Sequence, residues 1–205
     1  MIKQSLIPIH IQTLCGLLSA IFTIITWTPT TFAQTAEESQ LKSEAMGIVK
    51  KFAGQLKPRL LHAIEEGGPV HAISVCSEQA PGIARQLSTA SGWQVKRVSL
   101  KARNDKTAIP DEWEHQVLEE FDRRQQQGES ADKLVRAETV KDRFRFMKAQ
   151  PVEPLCLICH GTNISDDVKA ALASQYPNDQ ATGYSLGEIR GAFSLSHRLP
   201  EQDRQ

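Results

Sequence analysis

The most constraining feature of this sequence is the pentapeptide Cys156-Leu157-Ile158-Cys159-His160, a Cys-x-x-Cys-His motif. This spacing is the attachment sequence of a c-type haem, in which two thiols form thioethers with the vinyl groups and the adjacent His binds the iron. Two intervening residues let one tight turn present both sulfurs to the same porphyrin edge. The motif therefore predicts one covalent haem c, attached at Cys156 and Cys159, with His160 as the proximal ligand.

Two other uses of paired cysteines compete with this interpretation. A structural zinc site needs two more Cys or His ligands at similar spacing, and the sequence has no second Cys-x-x-Cys and no His-x-x-x-His. A dithiol redox motif normally precedes a helix in a βαβ unit. Here Pro151 and Pro154 precede the motif and Gly161-Thr162-Asn163 follows it, so we expect it to lie in a loop.

The first 33 residues are typical of a secretory signal peptide. Lys3 supplies the positive charge, residues 14–27 supply the apolar segment, and Thr31-Phe32-Ala33 fits a cleavage site. The alternative is an uncleaved membrane anchor, although the run is short and Thr-rich for a span of about 20 residues. We predict a periplasmic or otherwise exported bacterial protein with residues 34–205 as one domain, associated with the membrane only if the signal is uncleaved.

The charge balance excludes one class of partner. The chain has 24 basic and 24 acidic residues, and Lys3 is the single charged residue of the predicted signal peptide. The exported chain would therefore stay close to neutral. Because no basic surplus exists, we predict no nucleic-acid binding.

Hydrophobic periodicity and turn residues predict a chain of mixed helices and strands. The predicted helices cover residues 36–66, ended by Gly67-Gly68; a segment opened by Pro69 and ended by Gly92; a segment that begins at Pro110-Asp111-Glu112; and residues 166–175 behind Ser165. The predicted strands cover residues 93–100, 133–139, 143–148 and 189–195. Gly191, inside the last strand, predicts a close approach of a ligand or of another backbone segment.

Cys76 is the unpaired cysteine of the predicted exported chain. It lies on the apolar face of the second helix, and Pro81 forces that helix to bend or open nearby because Pro lacks an amide proton and its ring clashes with the carbonyl one turn back. From chemistry alone two roles are open. Cys76 is either a small core residue, which is common for a free Cys, or a thiolate ligand of the iron.

Four segments, in this order, resemble the single-haem c-type family with a PAS-like fold, which also occurs as the sensory domain of bacterial signalling kinases. They are residues 75–81, 92–99, 156–161 and 183–192. The chain departs from the family in two places. The family turn tends to read Arg-Asn-Pro and here is Arg103-Asn104-Asp105, and the segment before the haem motif tends to read Tyr-Met-Lys-Pro and here is Phe146-Met147-Lys148-Ala149.

The resemblance implies an α+β fold: a PAS-like antiparallel sheet with long N-terminal helices and further flanking helices. The iron of that family has His and Cys as axial ligands, which implies His160 and Cys76 here. The runner-up ligands of the sequence are Met147 and Met46, followed by His62, His71, His115 and His197.

A basic strand end lies beside Trp93 in one of the family segments. We therefore predict that Trp93, Arg97 and Arg103 contact the cofactor, and that Arg97, Arg103 or both pair with a haem propionate. The alternative for both arginines is an ordinary exposed strand charge.

Three functions follow from a His/Cys haem site. The first is a redox or diatomic-gas sensor, in which the gas displaces one axial ligand and the signal passes to a protein partner. The second is a soluble periplasmic electron-transfer cytochrome, with a potential lowered by the thiolate. The third is an enzyme such as a peroxidase, which needs an open iron position and an acid–base group. Occupancy by Cys76 argues against the third, so we predict no enzymatic activity.

Overall fold

The computed structural model describes residues 30–201, with side chains from residue 35 onward. The predicted signal peptide lies outside the described residues except for residues 30–33, which begin the first helix. No helix in the described range is long and apolar enough to cross a membrane.

Within this range the helices fall where periodicity predicts them, except for a short helix over residues 157–160, where a loop is expected. They are α1 Thr30–Ser74, α2 Ala80–Ser91, α3 Glu112–Gln126, α4 Leu157–His160 and α5 Asp166–Gln175. Gly68 has φ 74° and ψ −176°, so α1 consists of two helical stretches joined at a kink. The predicted break at Gly67-Gly68 is confirmed. Pro58 also lies inside α1, without a departure from helical backbone angles there.

The start of α3 shows how local sequence sets a helix end. Asp111 is the N-cap, and its carboxylate accepts a hydrogen bond from the Glu114 amide at 2.9 Å. The Glu114 carboxylate in turn accepts from the Asp111 amide at 2.8 Å. This capping box satisfies two amides that have no partner within the helix.

The four strands form one antiparallel sheet with the order β1-β4-β3-β2. They are β1 Gln94–Val98, β2 Val135–Val140, β3 Arg143–Pro151 and β4 Ile189–Arg198. Each predicted strand is present, but β3 and β4 run three residues further than predicted. His197, expected beyond the last strand, is therefore paired with Phe144 inside the sheet.

Helices cover both faces of the sheet. Phe144 and Phe146 of β3 pack in a core with α1 and α2, whereas Met147 and Ala149 pack in a second core with α3. Successive side chains of a strand point to opposite faces of the sheet, which explains this alternation. The architecture is the predicted α+β fold: a PAS-like antiparallel sheet with long N-terminal helices and flanking helices.

Candidate functional site

A cavity of about 680 Å³ lies between the helices α1 and α2, strand β1 and the Cys-x-x-Cys-His segment. Cys76, Cys156, Cys159 and His160 all line it. The sequence separates Cys76 from the motif by 80 residues, so the fold alone brings this cysteine to the same cavity. Its remaining wall is largely apolar and includes Phe52, Leu56, Leu60, Ile73 and Leu172.

The Cys-x-x-Cys-His segment is helical, so the expectation of a loop is wrong. Glu153 precedes a single 3-10 turn, Pro154–Cys156, which continues directly into α4. Pro154 causes this start rather than preventing it, because Pro is favoured at a first helical position. In a helical turn, residues three apart lie on one face, which places Cys156 and Cys159 on the same side of the chain.

Gly161 ends this turn. A β-carbon at position 161 would lie 2.6 Å from the Leu157 carbonyl oxygen, closer than side chains come to backbone. Beyond it, the amides of Gly183 and Tyr184 donate hydrogen bonds of 2.9 Å to the carbonyl oxygens of Gly161 and His160. These bonds fasten the end of the motif to the segment before β4.

The imidazole of His160 is held by backbone. Its Nδ1 lies 2.7 Å from the carbonyl oxygen of Ala181, and because a carbonyl can only accept, Nδ1 carries the proton. Nε2 is then the unprotonated nitrogen that a metal ion would need. Burial, together with the nearby Arg190 and Arg103 guanidinium groups, lowers the pKa of His160 to about 2. The ring is thus neutral at physiological pH.

Cys76 lies in a π-helical turn, Val75–Gln79, between α1 and α2. The amide of Ala80 donates to the carbonyl of Val75, five residues back, and Pro81 has no amide with which to continue the α-helical pattern. The opening that Pro81 predicts beside Cys76 is therefore present as a π-turn. Burial raises the pKa of the Cys76 thiol, while Arg97, Arg103 and Arg190 act in the opposite direction.

The cavity is electropositive. Five basic residues line it and no Asp or Glu does: they are Arg85, Lys96, Arg97, Arg103 and Arg190. Such a lining favours a bound group that carries negative charge.

The two predicted arginines differ in their partners. The Arg97 guanidinium lies 5.3 Å from the centroid of the Phe52 ring, and within the described part of the chain it has no salt bridge. Burial lowers its pKa. Arg103, in contrast, forms a buried salt bridge to Asp179 at 3.1 Å and donates to the Cys159 carbonyl at 2.5 Å.

Trp93 does not line the cavity, so its predicted contact with the cofactor does not match its position. Its side chain is buried in the first core, 6.1 Å from Phe144 and 5.1 Å from His197 between ring centroids. The residue belongs to the family segment, but that segment contributes Arg97 and Val98 to the cavity and Trp93 to packing.

The runner-up ligands also lie away from the cavity lining. Met147 packs against α3 on the opposite face of the sheet, and Met46 packs against the first core. His62 and His115 contact Glu66 and Glu119 on their own helices. Of the thiol, thioether and imidazole side chains considered, Cys76 and His160 are the pair that lines the cavity together with Cys156 and Cys159.

Sequence reasoning did not assign three residues that contact His160. Arg190 Nε lies 3.0 Å from His160 Nδ1, a packing contact because both nitrogens carry a proton. Tyr184 contacts the imidazole edge-on at 6.4 Å between centroids, and the Ala181 carbonyl accepts the hydrogen bond from Nδ1. Arg190 precedes Gly191 in the last of the four family segments, and this position is the sequence signal that could have identified it as a site residue. No periodicity marks Ala181, because it acts through its backbone.

Comparison with known proteins gives a family and a fold. The family model described as Tll0287-like matches residues 29–197. A solved structure described as that of the cyanobacterial heme-protein Tll0287 superimposes with a TM-score of 0.52 at 24% sequence identity, covering 87% of this chain and 99% of that one. No curated protein matches the sequence significantly.

Proposed function

Because this chain belongs to the Tll0287-like family, we propose that it is an exported haem protein with one haem c, attached to Cys156 and Cys159 and ligated by His160 and Cys76. The observation that carries this proposal is the meeting of these four side chains at one cavity of about 680 Å³. The name of the structural relative, a heme-protein, supports the same class of cofactor.

The residues present fit this group in three respects. The two motif thiols share one face of a helical turn. The imidazole has a protonated Nδ1 bonded to Ala181, which leaves Nε2 as the electron-pair donor. The lining combines many apolar side chains with five basic residues and no Asp or Glu, which suits an apolar macrocycle with two carboxylate tails. Arg97, whose charge has no carboxylate partner among the described residues, suits one of those tails.

When bound, the haem would supply one-electron redox chemistry and an iron atom to which a diatomic gas can bind. The protein would hold His160 in a fixed position, whereas the position of Cys76 could change. His160 sits in a turn fastened by backbone bonds from Gly183 and Tyr184. Cys76 sits in a π-turn, an arrangement that is frequent at functional sites and can convert to ordinary helix.

We therefore favour a redox or gas-sensor module over a simple carrier. Release of Cys76 would allow the π-turn to relax, and this movement would pass along α1 and α2 to a signalling partner protein. The alternative is a soluble periplasmic electron-transfer cytochrome. The partial exposure of Cys156 and Cys159 favours that alternative, because it brings one edge of the attached group close to the surface.

The covalent attachment is tested first. The protein is produced in bacteria with an active c-type maturation system, denatured and extracted with acidified organic solvent. The colour should stay with the polypeptide, whereas the Cys156→Ser/Cys159→Ser variant should release it or contain none. Extraction of haem from the parental protein into the organic phase would refute haem c.

Sensor and carrier are distinguished on the reduced protein. Rapid binding of carbon monoxide or nitric oxide, with loss of the thiolate spectrum, supports the sensor. Rapid electron exchange with a small redox protein, with an unchanged spectrum and no gas binding, supports the carrier. Turnover of peroxide would contradict the prediction that the protein is not an enzyme.

A further inference from the structure

The carbonyl of Ala181 accepts two hydrogen bonds. One comes from His160 Nδ1 at 2.7 Å, and the other comes from Arg103 Nη2 at 3.2 Å. An acceptor shared between two donors binds each of them less strongly than it would bind one. The strength of the His160 bond therefore depends on Arg103.

Hydrogen bonds fix the Arg103 side chain in the position from which it donates to the Ala181 carbonyl. Its side chain is 9% exposed, and its Nε donates to Asp179 Oδ2 at 3.1 Å. Its Nη2 also reaches the Cys159 carbonyl at 2.5 Å, and its Nη1 lies 3.4 Å from His160 Nε2. One guanidinium thus contacts the backbone of the Cys-x-x-Cys-His turn, the ring of its histidine and the carbonyl that orients this ring.

The segment that carries the Ala181 carbonyl is held in place by further hydrogen bonds. Asp179 Oδ1 accepts from the Ala181 amide at 2.8 Å, and the Gln180 amide donates to the Ala102 carbonyl at 3.0 Å. Asp179 therefore holds both Arg103 and the amide next to the shared carbonyl. The charge of Arg103 is balanced inside this cluster, which leaves it poorly placed to serve a propionate.

We propose that Arg103 is a positioning residue, which with Asp179 sets the orientation of the His160 ring and the strength of its bond to Ala181. The proposal rests on the proposed function, since the property being tuned is His160 as an iron ligand. It assigns Arg103 a different role from Arg97, although both arginines line the cavity.

The expected consequence has a definite sign. Without Arg103, the Ala181 carbonyl accepts from His160 alone, and that bond strengthens. A histidine that donates a stronger Nδ1–H bond has more imidazolate character and is a stronger ligand for ferric iron. The reduction potential should fall, and the ring should lose one of the contacts that fix its plane.

Loss of positive charge near the iron lowers the potential as well, so potential alone does not separate the two causes. Arg85→Gln is the matched control, because it removes the same charge from the same cavity lining and leaves His160, Ala181 and Arg97 untouched. Arg103→Lys keeps the charge and loses the forked contacts. Asp179→Asn keeps Arg103 and removes its anchor.

The test is proton NMR of the ferric haem-loaded protein, in which the pattern of haem methyl shifts reports the plane of the axial imidazole, combined with potentiometry. We expect Arg103→Gln, Arg103→Lys and Asp179→Asn to change the methyl pattern, and Arg85→Gln to lower the potential with the pattern retained. If Arg103→Gln fails to fold, Arg103→Lys and Asp179→Asn carry the test.

An unchanged methyl pattern in both Arg103→Lys and Asp179→Asn would overturn the proposal, as would equal behaviour of Arg103→Gln and Arg85→Gln in both measurements. Failure of the proposed function looks different, because the parental protein would then contain no covalent haem.

Discussion

Gly191 of β4 lies so close to Val98 of β1 that a β-carbon on Gly191 would be 2.3 Å from the Val98 carbonyl oxygen. Its φ of 153° is also a value that L side chains rarely adopt. Both residues line the cavity, so this contact sets the position of one wall. The close approach that a glycine inside a strand predicts is confirmed as an approach between backbones.

The first prediction concerns this contact. Gly191→Ala should destabilise the protein by about 2–4 kcal/mol, because β1 and β4 must separate and the backbone is strained. Chemical denaturation measures the loss. Gly54→Ala is the control: no atom lies within 4 Å of its added carbon and it stands in the interior of α1, so stability should rise by up to about 1 kcal/mol. Equal effects of the two changes would contradict the role of the contact.

The second prediction tests Cys76 as a ligand. Cys76→Ser should convert ferric iron from low to high spin, or to a spectrum without thiolate features, and should raise the potential because a strong ferric ligand is lost. Haem should remain attached through Cys156 and Cys159. Absorption and paramagnetic resonance spectra give the readout.

The control for Cys76 is its neighbour. Ser77→Ala removes a hydroxyl that donates to the Ser74 carbonyl at 3.1 Å, and Ser77 is absent from the cavity lining. The parental spectrum should persist in this variant. If Cys76→Ser also keeps the parental spectrum and potential, Cys76 is a core residue and the displaceable-ligand mechanism fails.

The third prediction tests the π-turn without altering a ligand. Pro81→Ala restores an amide that can donate to the Ser77 carbonyl, and it removes an obstacle worth about 3 kcal/mol within a helix. The turn should convert to α-helix, which rotates Cys76 relative to the cavity, and the thiolate spectrum should weaken although Cys76 is still present.

Pro58→Ala provides the comparison for this change. Pro58 lies inside α1 and is absent from the cavity lining, so its replacement should leave the spectrum as it is. A Pro81→Ala protein with the parental spectrum would show that the π-turn does not position Cys76.

The fourth prediction concerns pH and stability away from the cavity. Burial, reinforced by Glu188 and Glu119, raises the pKa of Asp122 above 3.8. The folded state thus binds this proton more tightly than the unfolded state, so the contribution of Asp122 to stability falls as pH rises from 3.8 through the folded pKa. Asp122→Asn should stabilise the protein at neutral pH by about 0.5 kcal/mol or less, because water screens the charge of this half-exposed carboxylate.

This gain should shrink as the pH is lowered toward 3.8, and urea denaturation at a series of pH values measures it. Asp166→Asn serves as the control, because that carboxylate is 99% exposed and its removal should give no gain at neutral pH. A gain from Asp122→Asn that does not depend on pH would contradict the assigned cause.

Local sequence determined the features that depend on neighbouring residues. The Gly67-Gly68 break, the start of α3 at Asp111 and the opening beside Cys76 each follow from backbone angles or missing amides within one turn of the chain. The Cys-x-x-Cys-His spacing is also a feature that depends on neighbouring residues. The prolines before the motif and the Gly161 after it predict a loop, but the segment is helical because Pro154 stands at a first helical position, where Pro favours a helix.

The tertiary structure decided which side chains share the cavity. Trp93 and Arg97 are four residues apart in one strand segment, yet Trp93 is buried in the first core and Arg97 lines the cavity. Met147 of β3 lies on the other face of the sheet, where it packs with Ala149 in the second core beside α3.

The surroundings of His160 show why sequence alone does not predict which side chains share the cavity. Its contacts come from Arg103, Ala181 and Arg190, which are 57, 21 and 30 residues away in sequence. Sequence patterns report periodicity over a few turns, and such distant contacts leave no periodic trace. Residue type and spacing therefore predict a haem and its candidate ligands, whereas the orientation and surroundings of those side chains depend on how strands and loops meet in the folded chain.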